Sequence, residues 1–174
     1  MRAILMLPLL AVASCAAGPD SPARSRAGTI SVEWTGRERG SFSATATARW
    51  CAADTLLEVI AVRGDTAVGL TLIARDSLRA ERYTVNETQL FTPGRPQANV
   101  ALRMLGSVNL LGFDAMGGHV HVTQGGGQVV SGTLEVRLRP VASNDTLQMK
   151  GSFERLPITL VEGLCGRANR PAGG

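Results

Sequence analysis

The amino-acid sequence predicts an all-β protein. The expected architecture is an antiparallel β-sandwich of about nine or ten strands, with a lipocalin-like β-barrel as the alternative. Three observations carry this. Apolar residues recur with a period of two rather than 3.6. Clusters of Gly, Pro, Asn, Asp and Ser interrupt these runs at short intervals. No stretch combines a sustained helical apolar stripe with caps at both ends. The chain has 174 residues, 44% hydrophobic and 18% charged, enough for one domain with a real core.

The domain is expected over 28–165. Ile30, Val32 and Trp34 alternate with Ser31, Glu33 and Thr35. Phe42, Ala44, Ala46, Ala48 and Trp50 alternate with Ser43, Thr45, Thr47 and Arg49. Both read as strands with one apolar and one wet face. Segments 56–62 and 67–73 are apolar on both faces, which places them in the middle of a sheet. Arg63-Gly64-Asp65-Thr66 between them reads as a hairpin turn. A single helical turn is expected at 76–81, capped by Asp76 or Ser77. Segments 82–87, 98–104, 119–124 and 146–153 are further strands, as is the run in which Leu134, Val136 and Leu138 alternate with charged residues. Segment 105–111 is ambiguous, and Gly106 and Gly112 argue against a long helix there. Breaks fall at 92–96, 117–118, 125–127 and 142–145.

Two further features bear on packing. Gly40-Ser41-Phe42, Ser131-Gly132-Thr133-Leu134 and Gly151-Ser152-Phe153 echo one another. A small residue near an inward aromatic or Leu suits a bend at a sheet edge. The inward Ala44, Ala46 and Ala48 leave space. A facing sheet could fill it, or a barrel could keep it as a ligand cavity beside Trp50.

The N-terminal segment is an address. Met1-Arg2 is followed by an apolar run, Ala3 to Leu10, that contains Pro8 and is too short to span a bilayer. Residues 1–14 therefore read as a signal peptide. Its end, Val12-Ala13-Ser14-Cys15, resembles the lipobox of bacterial lipoproteins. That resemblance implies acylation of Cys15, cleavage just before it, and a partner in the membrane itself. Ala16 follows Cys15 in place of the Asp that marks inner-membrane retention, so the resemblance favours the outer membrane. Residues 15–27 hold two prolines and small residues, and read as the lipidated Cys15 plus a flexible tether. A C-terminal tail is expected at 166–174.

Formal net charge is +4 and Lys150 is the only lysine. No basic run interleaves with aromatics, so nucleic acid is not an expected partner. With Cys15 lipidated, Cys51 and Cys165 remain in an oxidising compartment and are expected to pair. Two buried thiols, or a cysteine nucleophile, are the rival readings. The order Trp50-Cys51, Gly64-Asp65-Thr66, Tyr83-x-Val85, Gly112-Phe113, Gly117-Gly118, Ser131-Gly132-Thr133, Gly151-Ser152-Phe153 and a late Cys165 resembles uncharacterised all-β lipoproteins of GC-rich bacteria. The resemblance implies fold and address, and no activity.

Chemistry-bearing motifs are few. His119-Val120-His121 puts two imidazoles on one face of a strand, the spacing a metal site could use. No Glu follows at the position a cupin would need, and Val120 and Val122 take the core face, so the histidines are expected on the wet face. Arg63-Gly64-Asp65 resembles an integrin ligand, but Gly-Asp also suits a tight turn. Gly125-Gly126-Gly127 lacks the Lys-Ser/Thr of a phosphate loop. There is no Gly-x-Ser-x-Gly elbow and no Ser-x-x-Lys. The expectation is a non-enzymatic, lipid-anchored envelope protein, without cofactor, that binds an envelope protein or small ligand at the membrane surface. The alternative is a carrier of an apolar ligand in a barrel interior. A third reading is a metal-dependent enzyme using His119 and His121.

Overall fold

A computed structural model describes residues 27–86, 94–106, 110–140 and 145–162. The signal peptide, Cys15, the tether up to residue 26, Cys165 and the tail at 166–174 lie outside the described residues.

The chain is all-β. Among the described residues nine strands follow in order: β1 (Gly28–Gly36), β2 (Gly40–Cys51), β3 (Leu56–Arg63), β4 (Thr66–Ile73), β5 (Arg82–Val85), β6 (Gln97–Leu105), β7 (Leu110–Gln124), β8 (Val129–Pro140) and β9 (Leu147–Val161), with one 3-10 turn at Ala52–Asp54. The single helical turn expected at 76–81 is not formed. Asp76 Oδ1 instead accepts from the Ser77 backbone N–H at 2.7 Å, a local bond that competes with helix. Of segment 105–111, Leu105 ends β6 and Leu110 begins β7, while residues 107–109 lie outside the described residues.

The strands form one sheet that closes on itself, in the order β1-β2-β3-β4-β6-β5-β7-β8-β9. The two faces expected of a sandwich are thus opposite walls of a single ring. Closure uses two strands, β1 and β5, as wedges. Near the Gly36 end, which we term the lower end, β1 sits between β2 and β9. Beyond the start of β1, β2 and β9 pair directly, Ala48 to Ile158 through Cys51 to Val161. The opposite holds for β5, which separates β6 and β7 at the upper end. Those two strands pair directly at the lower end, from Ala101 with Asp114 to Leu105 with Leu110. Each end of the ring is therefore about eight strands around, a circumference whose interior side chains just fill.

They do fill it. Ile30, Trp34, Phe42, Leu57, Leu70, Leu72, Tyr83, Leu102, Phe113, Leu138, Met149 and Phe153 belong to one buried cluster. Ala46 and Ala48 lie in the same cluster, and Ala44 and Trp50 pack against it partly buried. Strands 56–62 and 67–73 do sit mid-sheet, between neighbours on both sides. Only their inner faces are covered: Leu57, Val59 and Ala61 are buried, while Ile60 is 59% and Val62 63% exposed.

The glycine echoes have a common cause. Gly40 is in register with Trp34, Gly132 with Phe153, and Gly151 with Val32. A Cβ at Gly40 would overlap the Trp34 indole, one at Gly132 the Phe153 ring, and one at Gly151 the Val32 side chain and the Ser31 carbonyl. Each glycine is the floor under a large inward side chain on the next strand.

Leu78, buried at the upper end, plugs the ring from segment 74–81 and lies against Gly125 and Gly126. Below it Tyr83, the one tyrosine of the chain, is wholly buried. Burial pushes its phenol up to about 12, although the Arg79 backbone N–H donates to its oxygen at 3.5 Å. An unfolded tyrosine ionises near 10. Folding therefore retains the proton between these values, and stability falls as pH rises from about 10 to about 12. Absorbance at the tyrosinate band is expected to titrate near 12 in the folded protein. A midpoint near 10 with the fold intact would contradict the burial.

Candidate functional site

The outer face of β7, β8, β9, β1 and β2 carries a groove of about 650 Å³. Its composition follows from alternation. Inward positions on these strands are apolar, so every second residue points out, and here those residues are hydroxylic or charged. Strand register arranges them into two rungs. One rung runs Ser43, Ser31, Ser152, Thr133, His121 and Arg82. The other runs Ser41, Glu33, Lys150, Glu135 and His119.

The first rung is a floor of small hydroxyls. Ser31 Oγ and Ser43 Oγ are 2.8 Å apart and hydrogen-bonded. The second is a wall of alternating charge. Lys150 Nζ is 3.0 Å from Glu33 Oε1. The hydrogen bond and charge of Glu33, with the charge of Glu135 beyond, hold the ammonium pKa above its ordinary value. These groups are solvent-exposed, so the pair contributes little to stability. Arg63 closes one end, its Nη1 donating to the Ser43 carbonyl at 2.9 Å. Hydroxyls both donate and accept, and the flanking ions offer strong donors and acceptors on one side. Such a surface suits a ligand that is itself rich in hydroxyl groups.

His119 stands at the edge of this groove and His121 one rung above, while Val120 and Val122 are buried. Arg82 Nη2 lies 2.9 Å from His119 Nδ1. Guanidinium can only donate, so Nδ1 accepts and is not free to ligate. Among the described residues no three His, Cys, Asp or Glu side chains gather as an ion would need. Arg63-Gly64-Asp65 is at a hairpin tip, with Gly64 at φ 56° in a two-residue turn between Arg63 and Thr66. That is the left-handed conformation such turns require, and Arg63 is folded back on β2.

Cys51 is fully buried at the end of β2 and stands in register with Val161, four residues before Cys165. The groove residues Ser31, Ser152, Glu33 and Lys150 were not singled out from sequence as a site. Their outward phase was readable, but their neighbours across strands were not. No helix among the described residues is long and apolar enough to cross a membrane. No family model matches the chain, and neither a curated protein nor a solved structure matches it.

Proposed function

We propose that the chain is a lipid-anchored envelope protein that binds a polar, hydroxyl-rich ligand or partner in the outer groove, without catalysis. Acylated Cys15 is the anchor, the outer membrane the favoured address, and a Cys51–Cys165 disulfide the staple. The observation that carries the binding role is the paired rung of hydroxyls and alternating charges across five strands. A purely structural outer face has no need of a concave floor of Ser31, Ser43, Ser152 and Thr133. The filled interior favours this reading over carriage of an apolar ligand. The arginine on His119 Nδ1 favours it over metal-dependent chemistry.

Support for the staple is positional. Cys51 is buried at the end of β2, and the chain leaves β9 directly beside it. The address rests on the lipobox resemblance of Val12-Ala13-Ser14-Cys15.

Calorimetric titration of the mature protein with chitotetraose, a soluble N-acetylhexosamine oligomer, tests the groove. Binding is expected for the wild type, with a loss of roughly tenfold or more in Ser152→Trp, which fills the floor, and in Lys150→Ala. Both positions are solvent-facing, so the fold is expected to survive, as circular dichroism would report. Equal affinity in the filled variant, or no heat from the wild type with this and other polyhydroxylated oligomers, would remove the proposal.

A further inference from the structure

We propose that the upper mouth of the ring is the face this protein lays against the bilayer, with Trp50 and Leu160 entering the boundary between headgroups and acyl chains. The proposal rests on the Cys15 anchor and adds the orientation. A groove of about 210 Å³ opens at this mouth, lined by Trp50, Leu78, Ile158, Leu160 and the Gly126-Gly127 turn. Trp50 and Leu160 are in register on β2 and β9, where the wedge strand β1 no longer separates them. Leu160 is 75% exposed, more than the other exposed large apolar side chains among the described residues. A half-buried indole beside exposed aliphatic side chains is the composition that favours a membrane interface.

The anchor decides which exposed apolar region meets lipid. The domain begins at Gly28, in register with Ala46, four residues before Trp50 on the same strand. Trp50 is thus about 13 Å further toward the upper end. The other exposed leucines, Leu105, Leu110 and Leu111, lie where β6 ends and β7 begins, at the lower end. From Gly28 that end is about 26 Å away in the opposite direction, the length of β1. Twelve residues separate Cys15 from Gly28, and a flexible chain of that length would span roughly 20 Å. That span lets the upper mouth rest on the membrane with the tether relaxed. The lower tip would reach it only with the tether stretched beyond that span and turned back along the sheet. In the upward orientation the polar outer groove stands at the side of the domain, clear of the bilayer.

The two tryptophans allow a direct test on the lipidated full-length mature protein, since Trp34 is buried in the ring and Trp50 lines the mouth. The probe is a vesicle of phosphatidylethanolamine and phosphatidylglycerol whose chains are brominated near the glycerol end. Wild-type fluorescence is expected to fall roughly twofold on these vesicles relative to unbrominated ones. Trp50→Phe, which leaves Trp34 alone, is expected to show no fall. Leu160→Asp is expected to weaken the quenching while the protein still floats with the vesicles. Flotation reads the anchor and bromine reads the face. Flotation with no more quenching in wild type than in Trp50→Phe would overturn the orientation and leave the anchor standing. Shielding of Trp50 from both brominated lipid and aqueous acrylamide would overturn it in favour of a protein cover, such as residues 163–174 or a partner. Failure to float would overturn the anchor and this orientation together.

Discussion

Phe153→Ala is expected to cost about 3–5 kcal/mol of folding stability, and with it roughly 10–20 °C of melting temperature. The ring is wholly buried and reaches across from β9 to cover Gly132 of β8. Its removal leaves a cavity over a residue that has no side chain to fill it. The reverse change is also costly. Gly132→Ala would drive a Cβ into the Phe153 ring and into the His121 carbonyl of β7, at about 1–3 kcal/mol or more for overpacking. The two changes together discriminate the cause. Phe153→Ala removes the ring clash but not the clash with the His121 backbone, so the double variant is expected to be less destabilised than the sum by about 1 kcal/mol. Urea unfolding of the four proteins measures this. Strict additivity would mean that the glycine is required for some reason other than the ring above it.

Reduction of the oxidised protein is expected to have a comparable effect. A Cys51–Cys165 bond would close most of the domain into one loop, and chain entropy assigns roughly 4–5 kcal/mol to a loop of that length. Cys165→Ala isolates the bond, because it leaves the buried Cys51 in place. The expected outcome is that Cys165→Ala and reduced wild type unfold at the same, lower urea concentration, and that reductant no longer affects the variant. Cys51→Ala should lose slightly more, since Cys51 also packs in the interior. If Cys165→Ala unfolds with the oxidised wild type, Cys165 is not the partner and the staple is wrong.

These two predictions show how legible the protein was in its primary structure. The alternation of Ile30, Val32 and Trp34 with Ser31, Glu33 and Thr35 marks a strand and its buried face without further information. A side-chain period of two leaves only one assignment when one face is apolar. The same argument correctly put Val120 and Val122 inward and His119 outward. Gly40, Gly132 and Gly151 were visible as a recurring pattern, yet their reason was not. The bend at a sheet edge expected from them is, in the structure, a glycine floor beneath Trp34, Phe153 and Val32. Only cross-strand register brings those pairs together. Segment 76–81 misled because Asp76 and Ser77 are good helix caps and equally good turn formers, and the plugging of the upper mouth by Leu78 settles between them.

Local composition by itself determined the all-β class, the strand phases, the Gly64-Asp65 hairpin and the outward placement of the histidines. Each of these depends on neighbours a few residues apart, where backbone sterics and the pleat leave few alternatives. Tertiary structure alone decided that the sheet is one and closes, because closure depends on β1, at the start of the domain, pairing with β9 at its end. It also decided the candidate groove. Ser31, Ser43, Ser152 and Thr133 come from four strands spread over about 120 residues, and no local rule relates them. Pairing partners are selected by the joint burial of a whole core, a property of the assembled ring and not of any one segment.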